Sequence, residues 1–550
     1  MKTYKIAIAI ASLALVATSC IKETFPTGYA TKEQIGASAV ALAASVNAIP
    51  AQMTSPYPVY GEQNYEFDMG YPGMMIIRDS AAGEICDQGE TGYDWFSYWP
   101  CHMSLGAEIG TTYVPWFTYY KFIKSTNDII TAINPEEATA ETIVYLGQAY
   151  AYRAMEYLDL VRMYSFKEVT DPNVKGYTPE GDIKGLSCVL VNEKTSLEQA
   201  KNNPRVNEME MYNNIISDLN NAAKYIGDYV PSTTLNPGQA FVNGLFARTY
   251  LEMATASLET DAAKATEYYK SAADYAAKAI AAKGGSPLTQ SQWEDPVTGF
   301  NNASANSNSW ILHVSYSAEN MGNLCNFVAH MSTEETWTSY GWKVGRGISR
   351  SIYDRIPDTD WRKHSWIDPA GKDYYAYKTN RDVFGDDKHV SAYANLKFRP
   401  ASGDYATYKV GGASDVPVMR VEEMYYIKAE AEAMSGNLGA GIATLTELML
   451  TRNPNYSCKA DNASAFVNEV FFQKRVEFWG EGIIFFDCKR LEAGVHNFYD
   501  GTNYPSGYAF NVNGIDPAWN FTIPQSEVEG NPAIQGLNNP DATDTLLPLN

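Results

Sequence analysis

RVEFWGEGIIFFDCKR, residues 475–490, is the stretch on which the reading of this chain turns. Arg475, Glu477, Glu481, Asp487, Lys489 and Arg490 interleave with Phe478, Trp479, Ile483, Ile484, Phe485 and Phe486, so charges and bulky apolar groups share one short segment. Glu477 and Glu481 could serve as the paired carboxylates of a glycosidase, or they could be ion-pair partners that pin a helix end against its neighbours. At i and i+4 of a helix both would project from one face, whereas a glycosidase sets its carboxylates on opposite sides of the scissile bond. With Arg475, Lys489 and Arg490 in the same run, the ion-pair reading is preferred.

Outward from this segment the chain is helical in pattern. VEEMYYIKAEAEAMSG, 421–436, places Met424, Ile427, Ala431 and Met434 on one face, and LGAGIATLTELMLTR, 438–452, does the same with Ile442, Leu445, Leu448 and Met449. Gly436 and Asn437 make the turn between them. GQAFVNGLFARTYLEMA, 238–254, precedes AAKATEYYKSAADYAAKAIAAK, 262–283, in which Ala265, Tyr268, Tyr269, Ala272, Ala276, Ala279 and Ile280 recur at spacings of three and four. Small residues on such a stripe let helices approach closely. Helical periods also run over 116–133, 140–164 and 207–226, and a first one begins at Thr31, a good N-cap. Alanine-rich helix pairs of this kind resemble tetratricopeptide packing without its strict 34-residue period. The fold class expected is mainly α: degenerate tetratricopeptide-like hairpins with a large loop-rich insertion.

Two regions lack a helical period. Residues 51–115 are rich in Pro, Gly, Tyr and Trp, and 290–415 in Asn, Ser, Gly, Tyr and Trp, with room for a few short strands. Rigid scaffolds present binding groups on loops, so these regions are expected to form the functional face. The chain holds 39 Tyr, 21 Phe and 11 Trp. YDWFSYW supplies Tyr93, Asp94, Trp95, Tyr98 and Trp99, and TWTSYGWKVGR supplies Trp337, Tyr340, Trp342 and Arg346. Flat rings beside carboxylate, hydroxyl and guanidinium groups are what a shallow sugar site uses, by stacking on pyranose faces and bonding hydroxyls. Burial under the loops is the competing use of the same residues. Trp116, Phe117, Tyr119 and Tyr120 fall at helical spacing and are assigned to packing.

The formal net charge of -22 and the lack of a basic stripe argue against nucleic acid as a partner. The N-terminus, MKTYKIAIAIASLALVATSC, has two lysines, an apolar run too short for a membrane span, and small residues before Cys20. It reads as a signal peptide, 1–19, ending in a lipobox-like site with Ala17 where Leu is commonest, so Cys20 is the expected lipidation position. Residues 20–30 read as a lipidated tether and 31–550 as one domain. Its helical scaffold is expected over about 31–50, 116–290 and 415–495, its binding face over 51–115 and 290–415, and a closing segment over 496–550. The remaining cysteines, Cys86, Cys101, Cys188, Cys325, Cys458 and Cys488, lack metal-site spacing and are read mainly as buried free thiols, with a Cys86–Cys101 bridge as the alternative. H-E-x-x-H, G-x-S-x-G, Walker A and G-x-G-x-x-G motifs are missing from the sequence, which disfavours hydrolase, kinase and dehydrogenase chemistry. No cofactor, catalytic residue or metal ligand is assigned.

The segment 475–490 resembles the C-terminal signature of the SusD/RagB family of outer-membrane lipoproteins: Arg475, Glu477, an aromatic, Glu481-Gly482, an aromatic, Asp487 and Arg490, departing from the usual pattern at Lys474 and Ile484. PVMRVEEMYYIKAEAEA, AYRAMEYLDLVRMYS, RVNEMEMYNNIISDLNNAA and WNFTIPQSEVEGNPAI resemble further family elements, in the family's order. Lys22 and Glu23, just past Cys20, resemble its short surface-export signal. The resemblance implies a SusD-like α superhelix and a non-catalytic, cell-surface glycan-binding lipoprotein, anchored in the outer membrane. It also implies delivery of captured oligosaccharide to a TonB-dependent, SusC-like transporter. Within the family the 475–490 signature is structural. Peptide or glycopeptide binding on the same scaffold, or a lid subunit with little affinity of its own, are the alternative roles; a glycan-degrading enzyme is disfavoured by the carboxylate spacing.

Overall fold

The computed structural model describes residues 38–54, 59, 66–89, 94–371 and 391–546. The expected signal peptide, Cys20, the tether and Thr31 lie outside the described residues, as does Tyr93. Helix α1, Ala39–Met53, begins at Ser38, whose hydroxyl accepts from the Ala41 amide at 3.3 Å. The long helices follow in chain order: α2, Tyr71–Ala81; α3, Gly110–Ala132; α4, Thr142–Tyr164; α5, Glu208–Ile226; α6, Gln239–Ser257; and α7, Ala262–Lys283. After the 290–415 excursion come α8, Val421–Met434, α9, Leu438–Met449, α10, Ala463–Glu477, and α11, Ile484–Arg490. From α3 to α9 each helix packs on the next, and α10 returns to α8. The fold is mainly helical.

Local chemistry sets the hairpin ends. Asn207 and Asp261 cap α5 and α7 by accepting from the Met209 and Lys264 amides, and α7 stops at Gly284, whose φ of +62° suits glycine. On α7 Ala265, Tyr269, Ala272, Ala276 and Ala279 are all buried, as the stripe predicts. The Tyr275 ring stacks on Phe246 of α6 at 4.3 Å and on Tyr250 at 5.6 Å. Such pairs contribute about 0.5–1.5 kcal/mol each beyond area burial.

Among the described residues, three two-stranded antiparallel ribbons accompany the helices. They are β1, Leu186–Val189, with β2, Arg205–Asn207; β3, Trp310–Ser315, with β4, Asp415–Arg420; and β5, Val495–His496, with β6, Asn511–Val512. The β3–β4 pair, in which His313 faces Pro417 and Ser315 faces Asp415, closes the excursion; β4 then runs straight into α8.

Both regions read as loops need correction. Residues 71–81 form α2, buried along its whole length. Its period was hidden by Arg78, a polar residue at a core position, which is held by Asp159 at 2.7 Å and the Tyr119 hydroxyl at 2.8 Å. Helix α3 starts at Gly110, ahead of the expected 116, because Pro115 is accommodated inside it. Much of 290–371 is a second packed layer. Trp293, Phe300, Trp310 and Trp366 are buried, with Trp293 against Trp361 at 5.5 Å and Trp366 against Trp479 at 6.0 Å.

The opening segment holds this layer to the helices. Helix α10 ends at Glu477, and Gly480 and Gly482, at φ of +78° and +69°, turn the chain into α11. Glu477 and Glu481 are therefore not neighbours on one helix face, which corrects the i, i+4 reading; they converge from a helix end and a turn. Glu477 meets Arg452 at 2.9 Å and Arg420 and Arg362 at 3.2 Å each. Glu481 meets Lys397 at 2.6 Å and Arg420 at 2.8 Å. Glu422, beside Arg420 at 3.0 Å and Arg452 at 3.1 Å, and Asp360, beside Arg362 at 2.7 Å, complete a buried set of four cations and four anions. Burial pushes Glu477 upward, but the three guanidinium groups outweigh it and hold its carboxyl well below the usual carboxylate range. Burial pushes Lys397 down to about 8. A second branch joins Arg490 to Glu430 at 2.6 Å and Asp487 at 2.7 Å, with Lys474 also on Asp487. Arg475 reaches Glu84, just past α2, at 2.7 Å, and the Gly482 amide donates to Asp79 at 3.0 Å. Buried ions must be neutralised within the core, and this segment does so between three helices and the second layer.

Candidate functional site

The two aromatic stretches singled out in the sequence meet in space. Residues 86–88 run beside 344–347: Cys86 and Gly347 exchange backbone hydrogen bonds at 2.9 and 3.0 Å, and the Gln88 amide donates to the Val344 carbonyl at 2.9 Å. Asp94 opens a short 3-10 turn, Trp95–Tyr98, and forms a charge-assisted hydrogen bond with Arg346. Arg346 also stands 3.1 Å from Asp87 and donates to the His330 carbonyl at 2.9 Å.

Beneath the surface lies a stack of rings. Arg346 lies over Phe96 at 5.5 Å, Phe96 meets His330 edge-on at 4.9 Å, and Tyr340 stacks on His330 at 4.2 Å. Burial, reinforced by Arg346, lowers His330 far below its ordinary range, so it is a neutral ring here. Asp94, Trp99, Tyr340 and Arg346 are only 8, 2, 5 and 2 % exposed, which corrects the expectation that they face a ligand. They support the face from below. The reason is charge pairing across sequence: Arg346 is neutralised by acids some 250 residues earlier, and one strand of text contains no sign of that.

Trp95, Tyr98 and Trp337 remain partly exposed. Trp95 and Tyr98 meet edge to face at 5.2 Å, and the Trp95 indole N–H donates to Glu66 at 2.8 Å. Trp337 packs on the buried cluster of Ala329, Tyr340 and Val344, and its indole N–H meets no acceptor. The chain around Trp337 is braced: Thr336 pairs with the Tyr405 carbonyl at 3.0 Å, and Glu335 accepts from the Thr338 amide at 2.8 Å. Burial pushes Glu335 up to about 7. The backbone of Trp342 falls in a π-helical turn, Tyr340–Val344, and its side chain lies outside the described set. Sequence reasoning missed Glu66, Phe96 and His330. Glu66 lies 29 residues before the indole it orients, and no local pattern marks it.

Angled, partly exposed rings can stack on one face of a flat ring, with polar groups beside them to bond its edge. The six described cysteines are all free thiols, which overturns the Cys86–Cys101 alternative; Cys86, Cys188 and Cys488 are buried, whereas Cys101, Cys325 and Cys458 are partly exposed. Among the described residues no group of His, Cys, Asp and Glu is placed to hold a metal ion, and no helix is long and apolar enough to cross a membrane.

The mainly helical fold matches that of solved SusD-like structures. A model of the SusD family matches residues 293–541, and a model described as "Starch-binding associating with outer membrane" matches 87–251. The chain belongs to the SusD family, whose members are non-catalytic binding proteins. No curated protein matches it. Among solved structures, a SusD-like carbohydrate-binding protein from Bacteroides vulgatus is 21% identical, with a TM-score of 0.67 over 90% of this chain and 96% of that one. A sugar-binding protein so described in the same organism is 21% identical, with a TM-score of 0.64 over 91% and 98%. A structure solved with a xylogluco-oligosaccharide is 15% identical, with a TM-score of 0.62 over 92% and 99%. At these identities the likeness establishes the fold.

Proposed function

We propose that this protein is a cell-surface glycan-binding lipoprotein, anchored through Cys20 in the outer membrane, that captures oligosaccharide and passes it to a TonB-dependent, SusC-like transporter. The observation that carries the reading is that the two stretches bearing the partly exposed Trp95, Tyr98 and Trp337 are tied together by the buried Asp94–Arg346 pair. Rings held rigid by Glu66, Arg346 and the His330 stack lose little entropy when a pyranose lies on them. Two or three such platforms contribute roughly 1 kcal/mol each beyond area burial, which corresponds to micromolar to millimolar affinity for an isolated module. The family membership and the sugar ligands of similarly folded proteins support the same reading. The Cys20 anchor rests on the lipobox-like N-terminus, and the transporter partnership on the family resemblance.

Affinity electrophoresis against plant, host and microbial polysaccharides tests it, with Trp95→Ala/Trp337→Ala beside the parent. Retardation by one polysaccharide class, lost in the double variant, is expected. No retardation by any polysaccharide, or full retardation of a folded double variant, would overturn the assignment of this face.

A further inference from the structure

Where α4, α6 and α11 end and α5 begins, a cleft of about 410 Å³ opens, lined by Arg162, Ser165, Glu208, Glu252, Thr255 and Lys489 among others. Its size suits a small ligand. It shares no residue with the aromatic face.

The cations that border this cleft are already committed. Lys489 donates its ammonium to the carbonyls of Met163 at 3.0 Å and Trp519 at 2.7 Å. Arg490 is held by Glu430 and Asp487. Arg162 lies over the Phe486 ring at 3.4 Å and gives Nη2 to Asp159 at 2.6 Å. Its Nη1 stands 3.7 Å from Glu252, beyond hydrogen-bond reach. Lys167 is 3.6 Å from Glu208 at the edge. Glu252 thus faces the cleft only 8 % exposed with no hydrogen bond to satisfy its carboxylate, and the Ser165 hydroxyl, on a residue 1 % exposed, has no partner. Glu259 and Glu492, both exposed, add acid at the mouth.

A buried carboxylate whose nearest cation stands 3.7 Å away and which accepts no hydrogen bond, in a cleft with an unpartnered hydroxyl and an acidic rim, is complementary to a cation that also carries hydroxyls. We propose that this cleft binds a small polar ligand through a primary ammonium group, with Glu252 receiving the ammonium and Ser165 bonding an adjacent polar group. Burial pushes Glu252 up to about 7 against the pull of Arg162 and Arg490, while Asp487 and Glu208 add to the push. Below that pH an arriving ammonium ion displaces a proton.

The ammonium could come from an amino sugar or from a lysine side chain, and titration calorimetry on the purified protein separates the two. The probes are glucamine, an ammonium on a six-carbon polyol; sorbitol, its uncharged counterpart; and Nα-acetyl-lysine methylamide. At least one amine should bind tenfold or more tightly than sorbitol, and about tenfold more tightly at pH 8 than at pH 6, with proton release at pH 6. Tighter glucamine assigns the source as a sugar, tighter lysine derivative as a peptide. Glu252→Gln should abolish amine binding, Thr260→Trp at the exposed rim should block it without lowering Tm, and Trp95→Ala/Trp337→Ala should leave it unchanged. Sorbitol binding as tightly as the tighter of the two amines, no binding of either amine, or full amine binding by Glu252→Gln or Thr260→Trp would overturn the proposal.

Discussion

Replacing Glu477 by glutamine tests what the 475–490 segment is for. Its carboxylate meets Arg452 at 2.9 Å and Arg362 and Arg420 at 3.2 Å, inside a set of four cations and four anions that solvent barely reaches. Glutamine keeps the shape and removes one charge, which leaves one buried cation uncompensated. Breaking a buried pair this way costs about 3–5 kcal/mol. With an unfolding entropy on the order of 2 cal/mol/K per residue, a chain of this size loses about 1 °C of Tm per kcal/mol, so a drop of roughly 3–5 °C is expected at pH 7. The pH dependence has a definite sign. The folded pKa lies below the ordinary carboxylate value of 4.5, so the stabilisation is present above that value and fades as pH falls through the folded pKa. Parent and variant should therefore differ at pH 7 and converge on acidification, as followed by urea denaturation at several pH values. An equal midpoint at pH 7, or a gap that widens in acid, refutes the structural account of Glu477. Sugar release by the parent, abolished in the variant, would favour the glycosidase reading instead.

Other outcomes follow from single contacts. Gly482→Ala should prevent accumulation of folded protein, because φ is +69° and a Cβ would lie 2.4 Å from Met75 Cα; a soluble variant with unchanged Tm would refute this. Trp95→Phe should keep most polysaccharide retardation while Trp95→Ala loses it, since the ring supplies stacking and the Glu66 bond only orients it. Glu335, raised to about 7 by burial, favours the folded state fully below its ordinary 4.5 and progressively less as pH climbs through 7. Glu335→Gln should therefore lose its disadvantage, or gain Tm, between pH 5 and pH 8, as a thermal melt series will read.

Hairpins α6–α7 and α8–α9 were legible to the residue or nearly so, because a period of 3.6 and a capping Asp or Asn are properties of adjacent residues and survive into any fold that buries the stripe. The partial exposure of Trp95, Tyr98 and Trp337 was half legible: the ring-rich text was visible, its exposure was not. Helix α2 was missed since Arg78 looks like a surface residue until Asp159 and Tyr119 arrive from two other helices. Arg346 and Asp94 were read as ligand groups for the same reason, each being the other's buried partner 252 residues away. The sequence by itself determined the helical scaffold and the charge-rich segment that ties it together. Only the tertiary structure decided which aromatic rings stay near solvent and which polar groups are consumed in the core, because burial and charge compensation depend on partners that come together only on folding.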